Sequence, residues 1–365
     1  MKKSITSRLL LFMLPAILLV TITSCHKDHK IVPEGHGKYD QGFFVVNEGW
    51  YGHATGSVSF YSTETQTTTD SIFTTENSGL KLGTAVTTLE FGTVYNSKLY
   101  LLSKSGGPLV VTDASTLKET GRIASAPTND WRAFLGVDAT KGLVSTGNGV
   151  YPITLQTLAL GGKLAGVTGQ AGDMIKVGNY IFIETETDGV VILNAADYSV
   201  AKKIPGLSVG FAKTFDGSVW AAGGTSLVKI NSATLATTTV ALPFTVNDTW
   251  GAWHPGSITA STTDLTVYIA KNDLYQGANL IYKYTDGIPA LLTGPFITLP
   301  AGKITYGAGV AYNPATNQLV VNIIKSGYGV NDSVNDLAFY NPITSALIKD
   351  IPFTGYLYPA TPVFH

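Results

Sequence analysis

The chain has 365 residues, with 24 Lys and Arg against 25 Asp and Glu, a formal net charge of −1 and only 13% charged residues, about half the usual share. A near-neutral chain lacks the basic excess that nucleic acid or an anionic membrane surface needs. Thirty-nine Gly and 44% hydrophobic residues argue against a charged helical array or a disordered tail, and a single Cys excludes an internal disulfide.

Lys2, Lys3 and Arg8 precede an apolar run over residues 9–20, followed by Thr21-Ile22-Thr23-Ser24-Cys25. A basic start, a short apolar stretch and a small-residue boundary make a signal peptide of residues 1–24. The run is short for a bilayer span, which leaves an uncleaved anchor as the lesser alternative. Ile22-Thr23-Ser24-Cys25 resembles a bacterial lipobox, in which the Cys becomes the lipidated first residue of the mature protein. His26-Lys27-Asp28 resembles in part the Lys-acidic signal that sends Bacteroidetes lipoproteins to the outer leaflet. These resemblances imply an outer-membrane lipoprotein exposed on the cell surface, touching the membrane only through the lipid on Cys25; a periplasm-facing position is the alternative. Without residues 1–24 the chain carries 21 basic and 25 acidic residues, a net −4. Residues 25–38 are polar, Pro/Gly-bearing and aperiodic, and read as a tether. Its three His have no fixed metal-ligand geometry.

From Tyr39 to the end, short β-branched and aromatic runs alternate with turn clusters, the pattern of strands and hairpins. The clearest unit spans residues 171–206: strand, tight turn, strand, polar loop, strand, Asn/Asp turn, strand. The same grammar recurs from Thr84, Trp131, Val209, Pro255 and Gly307. Starts about 38 to 52 residues apart suit four-stranded propeller blades. The copy from Phe43 has only three strands, and residues 358–364 form a lone strand that completes it. The expectation is a seven-bladed, all-β propeller over residues 39–365, closed by the last strand pairing into the first blade.

Propeller geometry then sorts the loops. The turns at residues 177–179, 215–217, 231–234, 284–287, 313–316 and 341–342 fall on one face and supply turn dihedrals. The opposite face collects Asn47, Glu48, Trp50, Tyr51 and His53, then Trp131 and Arg132, then Trp250, Trp253 and His254, with Tyr275, Tyr306, Tyr328, Tyr356 and Tyr358. Aromatics gathered on loops mark a binding face, because rigid rings bury much area at small entropic cost; the alternative is that each ring plugs its own blade. Both charge signs occur there (Glu48, Asp130, Asp248 against Lys104, Arg132, Lys271), which suits a large neutral or zwitterionic molecule or a sugar chain. Residues 331–336 offer oxygens without the spacing of a Ca²⁺ loop and read as a polar turn. No phosphate loop, metal spacing or nucleophile is present, so no cofactor, metal or catalytic residue is expected.

Residues 43–50 (FFVVNEGW), 77–83 and 358–364 (YPATPVF) resemble the YncE-like propeller lipoproteins of Bacteroidetes. Some members of that family capture cobalamin at the cell surface and pass it to a TonB-dependent outer-membrane transporter. The resemblance implies a non-enzymatic nutrient-capturing protein, a monomer or transporter-bound, with a cobamide as one candidate ligand. It departs from the family pattern at Thr84-Ala85-Val86-Thr87-Thr88, where an Asp and a Gln-Ser pair are common. A propeller lyase or hydrolase using His53, Glu48 or His254, and a structural surface protein that binds another protein, are the alternatives.

Overall fold

The computed structural model describes residues 37–273, 276–288 and 292–365. The signal segment, Cys25 and Tyr275 lie outside them. Tyr39 is buried, its ring packs edge-on against Phe60, and its hydroxyl donates to Glu76.

Seven antiparallel sheets follow in chain order. Blade 1 holds β1 (Gly42–Asn47), β2 (Ser57–Ser62) and β3 (Thr67–Thr69), after which a short helix α1 (Ile72–Glu76) leads on. Blade 2 is β4 (Thr88–Tyr95), β5 (Lys98–Lys104), β6 (Leu109–Asp113) and β7 (Glu119–Ile123). Blade 3 is β8 (Trp131–Gly136), β9 (Lys141–Thr146) and β10 (Gly149–Thr154). Blade 4 is β11 (Ala171–Val177), β12 (Tyr180–Thr185), β13 (Gly189–Asn194) and β14 (Val200–Ile204). Blade 5 is β15 (Phe211–Lys213), β16 (Val219–Ile230) and β17 (Thr237–Val246). Blade 6 is β18 (Ile258–Ala260), β19 (Thr266–Asp273), β20 (Gln276–Thr285) and β21 (Ile297–Thr298). Blade 7 is β22 (Lys303–Asn313), β23 (Gln318–Lys325), β24 (Val334–Tyr340) and β25 (Leu347–Thr354), and β26 (Pro359–Phe364) ends the chain.

β26 pairs with β1, Phe44 opposite Val363 and Val45 opposite Pro362, so the expected seven-bladed ring closes through the C-terminal strand. Pro359 and Pro362 are tolerated because β26 is the innermost strand of its sheet, with an edge that no further strand pairs. The inner strands β26, β4, β8, β11, β15, β18 and β22 touch in cyclic order around the channel. Side-chain alternation buries both faces of each blade. The described core accordingly divides into seven apolar seams, one per blade interface, with an eighth cluster at the channel mouth.

Three details differ from the blade grammar. Blade 3 has three strands and only a single bridge, Ile153 to Leu160, in place of the fourth; Gly161 and Gly162 follow at once and supply no side chain to pack. In blade 5 one continuous strand, β16, serves both middle positions, its first half pairing with β15 and its second with β17. Blade 7 begins at Lys303 rather than Gly307, because a bulge between Thr305 and Val310 breaks the alternation. Gly307 sits in that bulge at φ 57°, where a Cβ would lie 2.4 Å from Ala360, so glycine lets β22 pass the closing strand.

Candidate functional site

The β1–β2 loop lies against the ring closure. Glu48 N–H donates to the Tyr358 carbonyl at 3.0 Å and Gly49 N–H to Leu357 at 3.0 Å. Trp50 is half-buried and stacked between His53, 3.8 Å away, and Tyr356, 4.2 Å away. Tyr51 projects from this loop, 59% exposed.

The connection from β17 to β18 supplies the second wall. Trp250 and Trp253 pack with Ala133 at the channel mouth, and both are buried. Gly172 makes this possible: a Cβ there would stand 2.5 Å from Trp253 Nε1 and 2.9 Å from Glu184. The Arg132 guanidinium lies 5.9 Å from the Trp250 ring and 5.5 Å from Trp253, within cation–π range. Lys104 donates to the Trp253 carbonyl, and Gly256 N–H donates to Asp173 Oδ2 at 2.7 Å. One connection is thereby tied to blades 2, 3 and 4.

Beneath these walls the channel holds buried acids. Glu90 on β4 is fully buried and paired with Lys104 at 2.8 Å. Burial, and then the Glu48 carboxylate beside it, push the Glu90 carboxyl well above the usual range, against the pull of Lys104. Glu48 accepts the Tyr306 hydroxyl at 2.8 Å. Burial and the Glu48 and Glu90 charges raise the Tyr306 phenol strongly. A second pair lies on blade 4. Burial lifts Asp173 to about 6; burial, and then Asp173, raise Glu184 well above its ordinary value. His254 is held low by burial, and its Nδ1 meets the Pro255 carbonyl at 2.7 Å.

An open cleft of about 640 Å³ lies between the two walls, lined by Glu48, Tyr51, Thr88, Lys104, Ser105, Thr128, Asn129, Asp130, Arg132, Trp250, Gly251, Ala252 and Trp253. It therefore gathers Glu48, Tyr51, Arg132, Trp250 and Trp253 from the residues that the sequence singles out. Trp131 lies instead in the seam between blades 2 and 3. Asn47 is buried, its amide donating to Ser57 and Ser59. Tyr306 and Tyr358 pack ring to ring at 5.5 Å, and Tyr358 donates to Asp332. Tyr328 is 67% exposed on the β23–β24 loop. In residues 331–336, Asp336 pairs with Lys303 and Asp332 serves Tyr358, so two of the oxygens offered there are already engaged. Sequence reasoning passed over Thr88, Thr128 and Glu90. The two threonines carry no signal, whereas a Glu inside the apolar innermost strand β4 was one.

The chain belongs to the DUF5074 family: the model of this domain of unknown function matches residues 41–365. No curated protein matches the chain. Among solved structures, a quinoprotein alcohol dehydrogenase-like protein from Bacteroides thetaiotaomicron superposes with a TM-score of 0.70 at 20% identity, over 89% of this chain and 78% of that one. A dihydro-heme d1 dehydrogenase in complex with DHE gives a TM-score of 0.55 at 12% identity, over 88% and 75%. The WD40 domain of Neurospora crassa Pan2 gives 0.52 at 11% identity, over 73% and 78%. At such identities the likeness is one of fold.

Proposed function

We propose that this DUF5074 propeller is a non-enzymatic binding protein, held at the cell surface by a lipid on Cys25. Its channel-mouth cleft would capture a large, neutral or zwitterionic molecule with a flat face and pass it to a TonB-dependent outer-membrane transporter. A cobamide, suggested by the family resemblance, and a glycan are the two ligand classes to test first. The observation that carries the reading is the cleft itself: about 640 Å³, within the size range of small-molecule sites, with Tyr51, Trp250 and Trp253 beside both signs of charge. The acid–base candidates are otherwise engaged: Glu48 with Tyr306, His254 with a backbone carbonyl, and His53 with the Trp50 ring.

Calorimetry on the mature protein with cyanocobalamin and a panel of neutral and acidic oligosaccharides tests the reading. Saturable heat from one class supports it, and no heat from any removes its basis. A hydrolase or lyase is the second reading, favoured by the raised Glu90 carboxyl beside Glu48. Turnover of a bound glycan, lost in Glu48→Gln, would decide for it. Labelling with a palmitate analogue, lost in Cys25→Ser, tests the anchor.

A further inference from the structure

The cleft wall contains polar hydrogens with nothing to bond. Arg132, whose side chain is 6% exposed, is fixed through two of its three nitrogens. Nε and Nη2 donate to Asp130 Oδ2 at 3.1 and 2.8 Å, and Nη2 also donates to Gln170. Nη1 has no partner. The Thr88 and Thr128 hydroxyls are likewise buried and unpartnered. All three residues line the one cleft. A buried donor without an acceptor forfeits the hydrogen bond it had in water, and three around one cavity require a reason.

The donor types set the chemistry that would relieve them. A guanidinium nitrogen only donates, and a threonine hydroxyl has a proton to give. What these donors lack is an acceptor. The formal charges lining the cleft balance, Glu48 and Asp130 against Lys104 and Arg132, so no net field selects the ligand. Selection falls to these local donors, and an ionised oxygen is their strongest partner.

Building on the binding role proposed above, we infer that Arg132, Thr88 and Thr128 form a subsite for an anionic oxygen of the ligand, either a carboxylate or a phosphate ester. The Asp130 and Gln170 bonds orient the guanidinium and leave Nη1 for that oxygen, while the Trp250 ring covers the flat part of the same molecule. The ligand would thus be zwitterionic or singly anionic, its anionic oxygen held by Arg132 Nη1.

Phenyl phosphate, benzoate and the neutral control benzyl alcohol, titrated into the mature protein by calorimetry and tryptophan fluorescence, test the subsite. At least one anion should bind at least tenfold more tightly than benzyl alcohol, phenyl phosphate leading for a phosphate-ester site and benzoate for a carboxylate site. Arg132→Gln should weaken that anion at least tenfold. Because Arg132→Gln disturbs a buried ion pair, Thr128→Val is the second variant. It keeps the side-chain shape, and should leave the melting temperature unchanged or higher while weakening the anion at least threefold. Anion affinities equal to that of benzyl alcohol, or unchanged in both variants, overturn the subsite. If cyanocobalamin or a glycan still gives heat in that case, the binding role stands without it; if neither does, both fall.

Discussion

Replacing Asp173 by Asn tests a proton-linked contribution to stability at a site where Asp173 also raises the neighbouring Glu184 carboxyl. Asp173 Oδ2 accepts Gly256 N–H at 2.7 Å, and its own N–H donates to Glu184 at 3.2 Å. Burial raises its carboxyl from 3.8 to about 6, against the Gly256 bond that favours the charge. A raised carboxyl means that the folded chain binds the proton more tightly than the unfolded one. The resulting stability is fully present below about pH 4 and is lost as pH climbs through 6. The gap between 3.8 and about 6 is worth on the order of 3 kcal/mol. Asn can still accept the Gly256 bond but cannot ionise. The variant should therefore gain on the wild type as pH rises from 4 to 7.5, by on the order of 3 kcal/mol in denaturant unfolding or roughly 4 °C in melting temperature for a body this size. Comparing the two chains at each pH cancels the carboxylates whose ion pairs hold them low, such as Asp188 beside Lys203. A difference that stays constant across pH 4 to 7.5 would refute the argument that Asp173 is stored as a neutral acid.

Trp253→Ala should cost about 3–5 kcal/mol in denaturant unfolding, as expected for an emptied aromatic site, because Trp253 is 1% exposed. Trp50→Ala removes a half-exposed stack and should cost about 1.5 kcal/mol or less; equal costs would contradict the burial difference. Lys104→Met leaves Glu90 without its counter-ion and should destabilise by about 3–5 kcal/mol at pH 8. That loss should shrink as pH falls and Glu90 takes up a proton; a loss independent of pH would contradict the raised carboxyl. Ending the chain at Tyr358 removes β26 and opens the β1 edge, with Val363 and Phe364 lost from two seams. Loss of a cooperative melt and aggregation on size exclusion are expected, and an unchanged monomeric melt would show that closure is dispensable.

The blades were legible because their signal is local. In residues 171–206 every β-branched or aromatic run between turn residues became a strand, β11 to β14, and the unmatched strand at the end had only one open edge to join. Where backbone geometry departs from alternation, sequence spacing fails: the bulge holding Gly307 and the Gly223-Gly224 pair inside β16 both displace the expected boundaries. The loop face was legible for the same local reason, since Trp250, Trp253 and Tyr51 sit among turn residues. Their exposure was not, because it depends on distant partners. Trp253 is buried because Gly172 lacks a Cβ and because Arg132 and Lys104 meet it, and no window of sequence joins those positions.

The same distant partners bear on what the cleft does. The residue 247–257 connection is fixed by Lys104 on the Trp253 carbonyl, by Asp173 on the Gly256 N–H and by Arg132 under both rings. Lys104 also neutralises Glu90, and Asp173 adjoins Glu184. The groups that set the cleft wall are therefore the groups that keep the channel acids tolerable. A substitution at one acid reaches Trp250 and Trp253 through the connection, without touching the cleft lining. This argues for pairing every cleft variant with a pH series: a ligand effect through Arg132 persists across pH, whereas one relayed through the Asp173 charge fades as pH falls through about 6, where its carboxyl becomes neutral.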